Sequence, residues 1–157
     1  MMYDFSADDI FEMAQTLEQN GAAFYRDAAA QVSDADAKTM LEELASMEDE
    51  HEATFKAMRA QLSAEEKQST VFDPEGDSAQ YLKALADTRV FFEKEIDLTS
   101  IREILKSAIE AEKDSIVFYL GMRDMVPEKM GREKMDDIIK EEMSHIRILS
   151  RELVKHK

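Results

Sequence analysis

A Glu-x-x-His pair occurs twice in this chain, and each time it lies on the apolar stripe of a predicted helix. The first pair is Glu48 and His51, and the second is Glu142 and His145. Apolar residues at steps of three and four mark the helix face that packs into a bundle core. The stripes around the two pairs consist of Leu41, Leu44, Phe55, Met58 and Leu62, and of Met135, Ile138 and Leu149. Each pair therefore directs a carboxylate and an imidazole into a protein interior.

Two further glutamates, Glu18 and Glu112, occupy core positions on the stripes of two other predicted helices. An unpaired carboxylate is costly to bury and normally takes up a proton instead, whereas a bound cation removes that cost. We therefore predict a buried metal site. Its six ligands would be Glu18, Glu48, His51, Glu112, Glu142 and His145.

The spacing of these residues repeats in the two halves of the chain. Glu48 follows Glu18 by 30 residues, and Glu142 follows Glu112 by 30 residues, so every matched element is offset by 94. Such a repeat predicts one helical hairpin used twice. Two hairpins packed face to face form an antiparallel four-helix bundle, and the connection between them must return along its length.

The remaining sequence is consistent with an all-α fold of one domain, residues 1–157. Gly and Pro are few, at 4 and 2, whereas strong helix formers are abundant. We predict helices at about 7–32, 34–62, 100–126 and 127–155, the third with a capping box formed by Ser100 and Glu103. Residues 63–99, which contain Pro74 and Gly76, would form a long crossover connection with a short helix.

Composition limits the function classes. The formal net charge of −15 argues against binding to nucleic acid or to an anionic membrane. No apolar run approaches the roughly 18 residues of a membrane span, and the first residues do not resemble a signal peptide, so we expect a cytoplasmic protein. The absence of Cys excludes disulfides, thiolate metal sites and a cysteine nucleophile.

The charges of the predicted ligands match two divalent ions, because four glutamates supply four negative charges. Six side chains leave coordination positions open at two metals, as in reactive sites. Carboxylate and imidazole ligands without thiolate suit iron or manganese, and zinc is also possible. Other acidic residues near the pairs, Glu50, Glu52 and Glu141, lie off the stripes and are predicted to be solvated, with an iron access path as the alternative.

Small residues lie one turn beyond each single glutamate. They are Gly21 and Ser115, which are also related by the offset of 94. A gap beside the metals for a substrate of a few atoms would explain them, and close helix packing would explain the glycine equally well. Tyr25 and Tyr119 follow on the same stripes, and ordinary core packing is one explanation for them.

These motifs resemble the ferritin-like di-iron carboxylate proteins, and the chain is most similar to their rubrerythrin-like branch over about 6–62 and 100–153. The resemblance implies that Glu48 and Glu142 bridge the two metals. It also implies that Glu18 and Glu112 each bind one metal, and that Tyr25 and Tyr119 hydrogen-bond to ligand carboxylates. No catalytic residue beyond the metal ligands is implied.

Two features depart from rubrerythrins proper. The chain has no cysteines for a rubredoxin module, and Ser115 stands where rubrerythrins add a carboxylate, so the six-ligand set is closer to bacterioferritin ferroxidase sites. The resemblance implies a ferritin-like fold, two iron ions, and oxidoreductase activity on dioxygen or hydrogen peroxide in oxidative stress. It also implies a separate electron donor such as a rubredoxin-like protein, and a homodimer. The alternatives are iron handling without turnover, or a metal-free bundle that binds a partner.

Overall fold

Four long helices make up most of the described chain. The computed structural model describes residues 7–64, 77, 80–82, 98, 100–126 and 131–156. Within these residues the helices are α1 (Ala7–Gln31), α2 (Ala35–Ala60), α3 (Ile101–Met125) and α4 (Arg132–Lys155). The predicted all-α class is confirmed. Most of the predicted crossover connection of residues 63–99 lies outside the described residues, and of its predicted short helix only residues 80–82 are described, as helical.

Local sequence accounts for the starts of three of the helices. The side chain of Asp34 accepts a hydrogen bond from the Asp36 N–H and caps α2, and that of Ser100 accepts from the Glu103 N–H at 3.3 Å and caps α3. Gly131 has a φ of 105°, which a right-handed helix does not continue. The fourth helix therefore begins at Arg132 and not at the predicted 127; residues 127–130 lie outside the described residues.

The helices pair as two hairpins, because α1 packs mainly on α2 and α3 mainly on α4. A two-pronged contact closes the first hairpin, in which Arg59 donates to both carboxylate oxygens of Asp8 at 2.8 and 2.9 Å. Arg123 donates to Asp136 at 3.2 Å across the second hairpin. Few backbone contacts join the two hairpins. The layer between the hairpins is therefore filled by side chains.

That layer contains two apolar clusters with a polar zone between them. One cluster includes Phe11, Phe55, Phe118 and Met135, and the other includes Leu41, Leu44, Ile104 and Leu149. Each large apolar side chain buried in this way contributes about 1.5–3 kcal/mol of stability. None of the helices in the described part of the chain is long and apolar enough to span a bilayer.

Two described residues of the connection between the hairpins, Tyr81 and Leu82, pack against α3. Leu82 is buried in the first cluster, and the ring of Tyr81 lies over Gly121. A Cβ atom added at Gly121 would come within 2.7 Å of that ring. Glycine at this position therefore allows the connection to lie close to α3.

Candidate metal centre

The polar zone between the apolar clusters consists of the six residues predicted as metal ligands. Their relative exposure is 4% or less, so none has appreciable contact with bulk water. Each hairpin contributes one glutamate from its first helix and a Glu-x-x-His pair from its second. The structure thus brings together residues from all four helices: Glu18, Glu48, His51, Glu112, Glu142 and His145.

Their ligand atoms form two overlapping groups. One group consists of Glu18, Glu48, His51 and Glu142, and the other of Glu48, Glu112, Glu142 and His145. Within each group, one atom from every residue lies within 4.8 Å of the others. Glu48 and Glu142 belong to both groups. This arrangement suits two cations side by side, with two carboxylates shared between them.

The chemistry of the buried atoms fits such a pair of cations. A buried polar atom that lacks a hydrogen bond costs about 1–3 kcal/mol, so these atoms are rare in folded proteins. Several buried atoms of this cluster lack one in the part of the chain that the structure describes: Glu18 Oε2, Glu112 Oε2, Glu142 Oε1, His51 Nδ1, and both ring nitrogens of His145. Carboxylate oxygen and imidazole nitrogen are ligands of iron, manganese and zinc. A metal pair would give most of these atoms the partner that the protein itself does not provide.

Both histidines direct Nδ1 towards the carboxylates. Nδ1 of His51 lies 2.7 Å from Glu142 Oε1 and 3.6 Å from Glu18 Oε2, without forming a hydrogen bond to either. Nδ1 of His145 lies 3.4 Å from Glu112 Oε1 and 3.5 Å from Glu48 Oε1. The two rings are stacked, with 5.8 Å between their centroids. Nδ1 is therefore the nitrogen placed to bind metal in each half.

Two buried tyrosines hold the single glutamates in place. The Tyr25 hydroxyl donates to Glu112 Oε1, and the Tyr119 hydroxyl donates to Glu18 Oε1, both at 2.6 Å. Each bond joins the first helix of one hairpin to the first helix of the other. Burial, and then the nearby carboxylates, raise the pKa of both tyrosines well above the ordinary value. Both hydroxyls therefore keep their protons and remain donors.

Without metal, the carboxylates cannot all carry a full charge. Burial raises the pKa of Glu48 and of Glu142 well above the ordinary value, and repulsion from neighbouring carboxylates raises both further. Burial also acts to raise the pKa of Glu112, but the neighbouring side chains of Glu142, His145 and Tyr25 lower it to about 2. The metal-free cluster thus holds protons where a metal pair would place positive charge.

The same carboxylates change the charge state of His51. Burial lowers its pKa, but Glu142 and Glu18 outweigh this effect and raise the pKa to about 11. The metal-free site therefore favours a protonated imidazole at His51. A metal ion at Nδ1 would have to replace that proton.

The residues predicted to border a substrate gap lie beside the cluster. A Cβ atom added at Gly21 would be 3.5 Å from Cδ of Glu48, which is ordinary van der Waals contact. The space beside Gly21 is therefore bordered by a ligand carboxylate and could admit a methyl group. Ser115 is half-buried on the corresponding turn of α3. A gap for substrate at these residues remains a prediction.

One residue of the site has a role that the helical period did not reveal. Glu141 was predicted to be solvated, and its side chain is 52% exposed, yet its Oε2 accepts a hydrogen bond from Nε2 of His51 at 2.5 Å. Because Glu141 lies beside Glu142 in the sequence, the period places it about 100° away from the inner face. Glu50 is exposed as expected, and the half-buried Glu52 accepts a hydrogen bond from Gln19.

Comparison with known proteins gives a family and a fold. The sequence profile of the family described as Rubrerythrin matches residues 9–153. A crystal structure from Thermotoga maritima, of a protein described as ferritin-like and diiron-carboxylate, superposes with a TM-score of 0.74 over 100% of both chains at 24% identity. At that identity the likeness shows the fold alone. A search of curated protein sequences finds no match.

Proposed function

Because the chain belongs to the ferritin-like rubrerythrin family, we propose that it is a di-iron oxidoreductase that reduces hydrogen peroxide or dioxygen. The observation that supports this most directly is the pair of overlapping ligand groups that share Glu48 and Glu142. Two redox-active ions that share ligands can act together on one small molecule.

Bound iron would supply two electrons, one from each ion. Reduction of H2O2 to two waters requires two electrons and two protons. The protein's own residues would position and protect this centre. Glu18 and Glu112 are held by the tyrosine hydroxyls, and the apolar clusters on either side keep bulk water out. An enclosed site of this kind favours a substrate of only a few atoms.

The protein would need an external source of electrons for repeated turnover. Its 157 residues contain no Cys, so the chain cannot form the four-cysteine iron centre of a rubredoxin. We propose a separate electron donor, such as a rubredoxin-like protein, which would dock close enough to reduce the centre. Without donor or reductant, a sample loaded with ferrous iron should complete a single oxidation and stop.

Stopped-flow oxidation of anaerobically loaded protein tests the proposal. Ferric absorbance is followed after mixing with hydrogen peroxide or with dioxygen, and we expect two ferrous ions to be oxidised per chain in one fast phase. Glu48→Gln removes a shared ligand and should abolish the fast phase. Glu43→Gln, an exposed charge on the same helix, is the matched control and should keep it. Oxidation no faster than that of free ferrous iron would refute the proposal.

Iron handling without dedicated turnover is the second candidate. It is favoured by Ser115, which stands where rubrerythrins have an additional carboxylate ligand. The two candidates differ in their behaviour after the first oxidation. An oxidoreductase should turn over repeatedly with an added electron donor, whereas an iron-handling protein should release or retain ferric iron without consuming further peroxide.

A further inference from the structure

The metal centre is nearly twofold symmetric, and one hydrogen bond breaks that symmetry. Each single glutamate accepts from a tyrosine at 2.6 Å, and each histidine directs Nδ1 at the carboxylates. On the outer side of the rings the two halves differ. Nε2 of His51 donates to Glu141 at 2.5 Å, whereas Nε2 of His145 is buried and has no hydrogen-bond partner among the residues that the structure describes.

The sequence repeat explains why only one histidine has this partner. The residue 94 positions before Glu141 is Met47, so a thioether occupies the corresponding place in the first hairpin. Its sulfur is at best a weak acceptor, whereas an ionised carboxylate is a strong one. Met47 is half-buried, and its helix position relative to Glu48 is that of Glu141 relative to Glu142.

The carboxylate determines which nitrogen of His51 is free to bind metal. An ionised carboxylate can only accept, so Nε2 keeps its proton, and a metal ion replaces the proton on Nδ1, which faces Glu142 and Glu18. A carboxylate on the far nitrogen also makes the ring a stronger ligand and fixes its orientation. Among the residues that the structure describes, no carboxylate supports Nε2 of His145 in this way.

We infer that Glu141 makes the two metal positions unequal, so that the position of Glu18 and His51 binds the first cation and the position of Glu112 and His145 binds the second. Glu141 is a positioning residue, since it acts through His51 and does not itself face the cluster. The inference rests on the proposed two-metal site and concerns the order in which its positions are filled. It applies to any divalent ion that the site accepts, including a redox-inactive one.

The position of Glu141 makes it suitable for substitution. Its side chain is about half exposed, in a surface groove that also contains Glu50 and Asp137 and reaches the ring of His51. Removing its carboxylate leaves the buried apolar clusters unchanged. Glu50→Gln removes one negative charge from the same groove without removing a hydrogen bond to a ligand, so it is the matched control.

A titration of metal-free protein with Zn2+ tests the order directly. The ring nitrogens of 15N-labelled histidine are followed by NMR, and the chain has only three histidines to assign. We expect the ring signals of His51 to change over the first equivalent and those of His145 over the second. Calorimetry of the same titration should show a first step at least about tenfold tighter than the second.

Substitutions at Glu141 and at Met47, the position related to it by the offset of 94, test whether the hydrogen bond from His51 to Glu141 causes this order. Glu141→Ala should weaken binding at His51 by about 10- to 100-fold, as expected for loss of the group that supports a metal ligand. The two histidines should then respond together or in reverse order. Met47→Glu should tighten the second step, because it offers His145 the partner that it lacks. Glu50→Gln should leave the order unchanged.

Three outcomes would overturn the inference. They are simultaneous response of both histidines in the unaltered protein, equal weakening of both steps by Glu141→Ala, and the same effect from Glu50→Gln as from Glu141→Ala. Should Met47→Glu fail to fold, the Glu141→Ala titration still decides. Failure to bind two zinc ions at all would refute the two-metal site itself. Ordered zinc binding without oxidation of a ferrous sample would count only against the proposed function.

Discussion

Replacing Glu48 by Gln should stabilise the metal-free protein and destabilise the metal-loaded one. In the metal-free protein the pKa of Glu48 is raised by burial and by the neighbouring carboxylates. The folded state therefore binds a proton that the unfolded state has released, and stability falls as the pH rises above the ordinary glutamate pKa towards the raised one. Glutamine keeps the shape of the side chain and has no proton to lose.

The expected magnitude can be worked out from this linkage. One additional bound proton changes the free energy of unfolding by about 1.4 kcal/mol per pH unit. Between pH 5.5 and 7.5, Glu48→Gln should therefore flatten the decline in stability by up to about 1.4 kcal/mol per unit. The raised pKa of His51 acts with the same sign above its ordinary value, since protonated His51 stabilises the fold until the pH approaches about 11.

Urea unfolding followed by circular dichroism measures this effect on protein stripped of metal with a chelator. Glu43, which is exposed on the same helix, provides the control. The stability of Glu43→Gln should change with pH in the same way as that of the unaltered protein. With metal bound, Glu48→Gln should be less stable than the unaltered protein, because it lacks a shared ligand. Parallel pH profiles for Glu48→Gln and the unaltered metal-free protein would show that Glu48 does not hold a proton in the cluster, and would refute the reasoning.

Two tyrosine substitutions, one core substitution and removal of the metal also have defined outcomes. Tyr119→Phe and Tyr25→Phe each remove a buried hydrogen bond to a carboxylate. Each should lower the free energy of unfolding, measured by urea titration, by about 1.5–3 kcal/mol. Tyr81, which is 46% exposed, provides the control, and Tyr81→Phe should not show this loss. Leu44→Ala should cost about 2–5 kcal/mol in the same assay, and clearly more than Leu120→Ala at the surface. Removing the metal should lower the Tm at pH 7.5, as measured by calorimetry. The difference in Tm between metal-loaded and metal-free protein should become smaller towards pH 6, as the carboxylates take up protons. Equal Tm values at pH 7.5 would contradict a filled, buried site.

The helical period was enough to predict the fold class and to select the six clustered residues. Glu48 and His51 are polar at positions where the stripe requires apolar side chains, so their burial could be inferred without coordinates. The 94-residue offset then related them to Glu142 and His145. Periodicity works here because long amphipathic helices leave few choices about which face is buried.

Contacts that depend on the reach of one side chain were not predictable in this way. Glu141 lies off the inner face of α4, and only the packing of α4 against α2 brings its carboxylate to His51. The start of α4 was predicted too early, because the period does not indicate that Gly131 adopts a φ of 105°. The space beside Gly21 likewise depends on the side-chain conformation of Glu48.

Anomalous X-ray diffraction from crystals of protein purified anaerobically would locate the metal ions relative to the six predicted ligands. We expect two anomalous peaks per chain, about 3.5–4 Å apart, both in contact with Glu48 and Glu142. One peak should also contact Glu18 and His51, and the scattering edge should be that of iron. A single peak, or peaks away from the shared glutamates, would contradict a two-metal centre held by these residues.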